Sequence, residues 1–192
     1  MSDAVSANVF RVFPLLTDGV VSLRNMREDD VVDFFDYHDH PDMRRFITEE
    51  CFPHSFRHAA EEIRYNRELF RSRQSVYWGI ADPSGDKLIG SCGYNYWNKH
   101  HRRAEISYDL ARDLWGKGLA SRAVALAVGY GFRHMRLHRI EATVPADNLA
   151  SVALLKRLGF AQEGVLRDQK ILEGKYRDML MMALLSDEAA IR

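Results

Sequence analysis

Two glycines, Gly116 and Gly118, stand in the segment Trp115-Gly116-Lys117-Gly118-Leu119-Ala120, between an alternating stretch and a helical one. Glycines at this spacing let a backbone turn tightly and come close to a ligand, so that successive N–H groups and the positive end of a helix dipole converge on one spot. Such a spot binds phosphate. An ordinary strand-to-helix turn uses the same residues, and two nucleotide signatures are missing. No Gly-Lys-Ser/Thr follows a four-residue spacer, and the third glycine of a dinucleotide fingerprint would fall at Ser121. Cys51, His54 and His58 have ligand-like spacing, but a structural zinc site takes about four ligands and Cys92 is the only other cysteine. A proline-containing loop entering a helix at Ser55 accounts for that stretch, so no metal is expected. No Gly-x-Ser-x-Gly occurs, which removes the nucleophile-elbow hydrolases.

The elements that must position the turn follow from periodicity. Residues 20–24 read as a strand, after which Val31, Phe34, Phe35 and His38 fall at i, i+3, i+4 and i+7, one face of a helix. Ser55 is a natural N-cap for a second helix reaching about residue 73, with Phe56, Ala60, Ile63 and Phe70 on one side. The period then switches to two: Val76, Trp78 and Ile80 alternate up to a Pro83-Ser84-Gly85-Asp86 turn, and residues 87–97 form the partner strand. Ala104, Ile106, Tyr108 and Leu110 alternate with Glu105, Ser107 and Asp109 in the strand that enters the glycine turn. Leu119, Ala123, Leu126, Ala127 and Tyr130 mark the long helix that leaves it. A strand over 140–144, a short helix over 148–158 closed by Gly159, a strand over 160–171 and an apolar strand over 179–185 complete the order β-α-α-β-β-β-α-β-α-β-β.

Composition sets the frame. The 192 residues carry 27 Lys plus Arg and 27 Asp plus Glu, a net charge of +0, so neither nucleic acid nor an anionic membrane is an expected partner. With 46% hydrophobic residues, no linker and no repeat, residues 1–192 read as one domain with its core over about 18–186. Two cysteines and the lack of a signal-peptide pattern imply reduced thiols and a cytoplasmic protein.

Taken together, Ala104-Glu-Ile-Ser-Tyr-Asp-Leu110, Trp115-Gly-Lys-Gly-Leu-Ala120, His138-Arg-Ile-Glu-Ala142, Asn148-Leu-Ala-Ser-Val152, Leu158-Gly-Phe160 and Glu163-Gly-Val-Leu166 resemble the GNAT superfamily of N-acetyltransferases. The resemblance is closest to its Rim-type branch, whose members acetylate ribosomal-protein N-termini. It implies an α/β (α+β) fold with a central, mostly antiparallel mixed sheet of about 6–7 strands, splayed in the middle and flanked by about four helices. It also implies acetyl-CoA as cosubstrate, with the backbone of Trp115, Gly116, Lys117, Gly118, Leu119 and Ala120 on the pyrophosphate and Ser121 and Arg122 close by. The strand with Ile106, Tyr108 and Leu110 would hold the pantetheine arm, because a gap between strands leaves N–H and C=O groups that its amides can satisfy. Asn148 and Ser151, one helical turn apart, would face the thioester. Arg157 is a candidate for the nucleotide 3′-phosphate and equally a solvated helix-face arginine.

Acyl transfer needs a neutral amine, and a base within reach is worth about 10²–10⁴-fold. Glu105, first, and Glu141 are the candidates, each on a strand flanking the cleft. Two positions depart from the family pattern: residue 113 is Asp where an Arg or Gln often opens the phosphate motif, and Leu155 stands where many members carry an acid tyrosine. Ser151 is then the group left to meet the sulfur, and a thiol with a pKa of about 8.5 can depart as thiolate. The leading acceptor is a protein N-terminal α-amine; the rivals are a small amine such as a polyamine or aminoglycoside, or a binding module without catalysis. Phe52, Tyr94 and Trp97 would wall the acceptor side, and Asp30, Asp33 and Asp36 would favour a cationic acceptor. A closed acidic pocket lidded by residues 46–56 points to a small molecule, an open cleft to a protein. A homodimer is compatible with the sequence but not specified by it.

Overall fold

The computed structural model describes residues 9–82, 84 and 86–189. The chain runs through β1 (Leu16–Thr17), β2 (Ser22–Arg24), α1 (Val31–His38), α2 (Pro41–Arg44), α3 (Phe56–Arg71), β3 (Tyr77–Ala81), β4 (Leu88–Asn98) and β5 (Arg103–Leu110). It continues through α4 (Leu119–Arg133), β6 (Arg139–Pro145), α5 (Leu149–Arg157), β7 (Ala161–Leu172) and β8 (Lys175–Leu185). The strands make one 8-stranded sheet in the order β1-β2-β3-β4-β5-β6-β8-β7, in which only β5 and β6 run parallel.

The sheet therefore has one strand more than the upper expectation, and a fifth helix joins the four expected. Both additions are too short to show a period. β1 has 2 residues. α2 is a 4-residue turn started by Pro41 and by His40, whose ring nitrogen accepts from the Asp42 N–H. β8 begins at Lys175 rather than at 179, because its first residues form the exposed arm of a hairpin where no buried face imposes alternation. Glu173 (φ 49°) and Gly174 (φ 71°) turn that hairpin with two positive φ values, the geometry a tight two-residue loop favours. Of the Pro83–Asp86 turn, Pro83 and Gly85 lie outside the described residues.

Two cores, one on each face of the sheet, hold the site's elements in place. On one face α4 and α5 cover Trp78, Cys92, Ile106 and Ile140, all at most 2% exposed. Tyr94 belongs to this core, with its hydroxyl donating 2.8 Å to the carbonyl of Ala127 on α4. On the other face α1 and α3 bury Phe34, Tyr37, Phe52 and Ile63 against Met26 and Leu88. Ser55 caps α3 as its position suggested, accepting from the His58 N–H at 3.2 Å. Gly93 in β4 lies directly across from Tyr77 in β3. A side chain there would collide with the Tyr77 ring, which lies across the sheet and reaches Ser107 on β5, oxygen to oxygen 2.9 Å.

Candidate active site

β5 and β6 pair at three positions, Arg103↔Arg139, Ala104↔Ile140 and Glu105↔Glu141, and then separate. β6 stays with β8 as far as Pro145. The edge of β5 from Ile106 onward is thus left beside a wedge, and a cavity of about 600 Å³ fills it. Unpaired strand amides need a partner, and an extended ligand backbone can supply one. Ile106, Tyr108 and Leu110 all line this cavity, as do Ala142, Thr143 and Val144 opposite.

At one end of the wedge lies the β5–α4 turn. Gly116 and Gly118 have φ of 75° and 78°, the left-handed region that glycine enters without penalty. A side chain at either would meet no protein atom within 4 Å, so both stretches of backbone face open space. Gly118 is the N-cap of α4 and no side chain caps the helix, which leaves its first N–H groups for a ligand. The loop is pinned from behind: Trp115 Nε1 donates to the Leu110 carbonyl at 2.7 Å, and the Arg112 guanidinium lies 4.9 Å from the Trp115 ring centre while pairing with Asp42 at 2.6 Å. Trp115, Gly116, Gly118, Leu119, Ala120 and Ser121 line the cavity; Lys117 is exposed and does not. Arg122 is engaged elsewhere, 2.8 Å from Asp18. An uncapped helix start with a cleared glycine approach fits a diphosphate held by backbone.

Across the wedge stands α5. Asn148 caps it by accepting the Ser151 N–H at 3.1 Å, and this cap places Ser151 toward β5. There the Ser151 and Tyr108 hydroxyls meet at 2.5 Å. Burial pushes the Tyr108 phenol up to about 12, against the opposing pull of the Ser151 hydrogen bond, so at neutral pH it keeps its proton, and either hydroxyl can donate to the other. Leu155 is fully buried and apolar, and Arg157 lies exposed at the rim of the cavity.

The two glutamates have different surroundings. Glu141 is clamped by Arg103 (3.0 Å) and Arg139 (2.6 Å), and Arg139 also pairs with Glu163 (2.5 Å), so it is part of an ion network and does not line the cavity. Both of its oxygens are taken up by guanidiniums, and none of them faces the cavity. Glu105 also stands behind the cavity wall, but it accepts a hydrogen bond from the hydroxyl of Thr143, which is part of that wall.

The aromatic wall expected on the acceptor side is not there. Phe52 is buried in the α1–α3 core with Arg44 3.9 Å over its ring, Tyr94 is buried under α4, and Trp97 packs on Phe10 with ring centres 5.6 Å apart. None of the three lines the cavity. The acidic run is also engaged elsewhere: Asp30 is bonded to Arg24 at 2.7 Å, and Asp33 accepts from the Leu88 N–H at 3.3 Å. Asp109, His38, Ser107, Tyr77, Asn95 and Glu62 line the cavity instead, as do Phe46, Ile47, Thr48 and Cys51. A signal for part of this was present, because Glu105, Ser107 and Asp109 share one face of an alternating strand.

The family model described as "Acetyltransferase (GNAT) domain" matches residues 21–161. An uncharacterized N-acetyltransferase, p20, of Bacillus licheniformis is 36% identical over 170 residues, covering 88% of this chain and 95% of that protein. The [Ribosomal protein uS5]-alanine N-acetyltransferase of Escherichia coli is 29% identical over 139 residues, 72% of this chain and 70% of that one. The spermidine N(1)-acetyltransferase of the same species is 34% identical over 91 residues, 47% and 49% of the two chains. Among solved structures, Mycobacterium smegmatis RimJ in complex with CoA-disulfide superposes with a TM-score of 0.81 at 26% identity, covering 91% of this chain and 87% of that one. With the splayed sheet, the uncapped glycine turn and the family match over most of its length, the chain belongs to the GNAT acetyltransferases and is an acetyl-CoA-dependent N-acetyltransferase.

Proposed function

We propose that the protein transfers an acetyl group directly from acetyl-CoA to a primary amine carried by a small cationic molecule. The observation behind this is a single cavity of about 600 Å³ whose lining joins the glycines Gly116 and Gly118, the Tyr108–Ser151 hydroxyl pair and the carboxylates of Asp109 and Glu62. Acetyl-CoA supplies the thioester, whose acyl carbon bonds to the amine nitrogen as the carbon–sulfur bond breaks and the thiolate departs. The amides from Trp115 to Ala120 hold the pyrophosphate, Arg157 meets the 3′-phosphate, and the open edge of β5 orients the pantetheine arm. Ser151, its oxygen held by the Tyr108 phenol, turns its own proton toward the sulfur. Glu105 takes the proton lost by the amine, relayed through the Thr143 hydroxyl or a water. A carboxylate held behind the wall keeps its charge away from the thioester while remaining one hydrogen bond from the cavity.

A protein N-terminal α-amine, the leading expectation from sequence, is the second reading. The resemblance to the E. coli uS5-alanine enzyme favours it, and an α-amine with a pKa of about 8 needs less help from a base than an alkylamine at about 10.4. Against it stand the Asp109 and Glu62 carboxylates on the cavity lining, which suit a small cation. Release of free thiol from acetyl-CoA over a panel of small amines and N-terminal peptides decides between them. Small cationic amines are expected to exceed peptides at least tenfold in kcat/KM. The reverse order would give the acceptor to proteins, and binding of acetyl-CoA without turnover on any amine would refute the transfer itself.

A further inference from the structure

Seven residues other than glycine have a positive φ among the described residues, and three of them are arginines: Arg73 (58°), Arg102 (49°) and Arg136 (52°). They sit in the turns from α3 into β3, from β4 into β5 and from α4 into β6. Glycine takes such positions at less cost, so a guanidinium at all three is placed against the preference of the backbone. Hydrogen bonds join the three turns into one surface. The Lys99 ammonium donates to the Arg73 carbonyl at 2.7 Å, and the His138 and Arg139 N–H groups donate to the Arg102 carbonyl at 2.6 and 3.2 Å. All three arginines are exposed, as are His100 and His101 in the middle turn. Among the described residues no carboxylate pairs with any of the three guanidiniums. Glu68, in the last turn of α3, and Asp187 and Glu188, past the end of β8, lie at its margin.

Tyr96 shares the left-handed conformation, with φ 51°. Asn95 pairs with Glu105 and Asn98 with Arg103, so β4 carries an extra residue there, and the bulge turns the Tyr96 ring outward beside the basic turn, 85% exposed. This surface is separate from the cofactor site. It lies where β5 begins at Arg103, whereas the cradle lies beyond Leu110, roughly 23 Å along the strand. Neither the three arginines nor Tyr96 lines the cavity. The net charge of +0 conceals this surface, because Glu28, Asp29, Asp30, Asp33 and Asp36 offset it from another part of the chain. We infer that this end of the molecule docks single-stranded nucleic acid, with the guanidiniums on phosphates and the Tyr96 ring stacked on an unpaired base. The planar guanidinium fork matches phosphate oxygens, and an exposed ring accepts the face of any base. An acidic protein segment would offer carboxylates to the same arginines but no flat partner for Tyr96. The inference does not depend on the acetyl-transfer reading.

Fluorescence anisotropy of a labelled oligouridylate of about 12 nucleotides, titrated with the full chain at roughly 50 to 200 mM salt, reads the surface directly. Micromolar binding that weakens as salt rises is expected. Combining Arg73→Gly, Arg102→Gly and Arg136→Gly suits the backbone of each turn, so the variant should fold. Its affinity should fall about tenfold or more, and its log–log salt slope should lose about 2, at about 0.7 for each of three phosphates. Tyr96→Ala should cost about fivefold or more and leave the slope unchanged. No anisotropy change with protein up to about 100 μM overturns the inference. So does parent-like affinity in either variant. Tighter binding of an oligoglutamate of the same length than of the RNA would also overturn it, and would give the surface to an acidic protein segment. Thiol release from acetyl-CoA by both variants is read separately and should stay at the parent level, so a failure of the docking surface and a failure of acetyl transfer are distinguishable.

Discussion

Tyr108→Phe isolates the one hydroxyl contact that ties the cofactor-side face of β5 to α5. The parent holds the two oxygens 2.5 Å apart, and the substitution removes a single atom from a largely buried ring. Losing one hydrogen bond of this kind costs about 0.5–1.5 kcal/mol. At about 1.4 kcal/mol per tenfold, kcat should fall roughly 2- to 12-fold if Ser151 needs the phenol to aim its proton at the sulfur. KM for acetyl-CoA should move less than twofold, because the cradle and the β5 edge are untouched. The assay is steady-state thiol release for the parent, Tyr108→Phe, Ser151→Ala and the double variant. Ser151→Ala removes the donor itself and should cost more, and adding Tyr108→Phe to it should change nothing further. Residues acting in series are non-additive in this way. With a pKa pushed up to about 12, the phenol keeps its proton through pH 10, so the ratio of parent to Tyr108→Phe should be flat from pH 6 to 10. Independent, multiplying losses from the two substitutions would refute the coupling, and a rise in KM without loss of kcat would move Tyr108 from leaving-group chemistry to binding.

Gly118→Val places a branched residue at φ 78° and a side chain in the open space of the cradle; about 1–2 kcal/mol of stability and at least tenfold in acetyl-CoA affinity should be lost. Parent-like affinity in a calorimetric titration would locate the diphosphate elsewhere. Glu105→Gln should lower kcat by about 10²–10⁴-fold, whereas Glu141→Gln, which breaks the contacts to Arg103 and Arg139, should lower the melting temperature and leave kcat within threefold. Equal kinetic losses in both variants would mean that the base assignment is wrong. Asp18 joins the β1–β2 turn to α4. Its partial burial opposes ionisation, but the Arg122 hydrogen bond and the N–H groups of Val20 and Val21 outweigh it and hold the carboxyl below its ordinary value. The contribution is therefore present above the unfolded value and lost as pH falls through the lower folded one. For an exposed pair it is about 0.2–1 kcal/mol: thermal melts of parent and Asp18→Asn should differ at pH 6 and converge below pH 3.

Where a feature depended on neighbours along the chain, it could be read without coordinates. The glycine turn is one: positive φ at Gly116 and Gly118 and a helix beginning at Leu119 follow from residue types a few positions apart. So are the Ser55 cap and the alternation that gives Glu105, Ser107 and Asp109 a common face. A short strand such as β1 and a single turn such as α2 carry too few residues for any period, and went unread for that reason.

Chemistry that depends on residues far apart in the chain was settled by packing alone. Nothing local says that Tyr108 meets Ser151, 43 positions away, or that the Thr143 hydroxyl reaches Glu105 across 38. Those meetings follow from the register of β5 on β6 and from the point where the two part. Phe52, Tyr94 and Trp97 could be recognised as apolar and aromatic, but which of the two cores each would enter depends on the face its element turns to the sheet. His38 shows the same division from the other side. Its place on the apolar face of α1 was legible, while its ring lies 3.9 Å from Asp109 only because α1 packs over β4. Period and propensity act over a few residues and so are written in the sequence, whereas the position of one side chain relative to another on a distant element is set by the packing of whole elements.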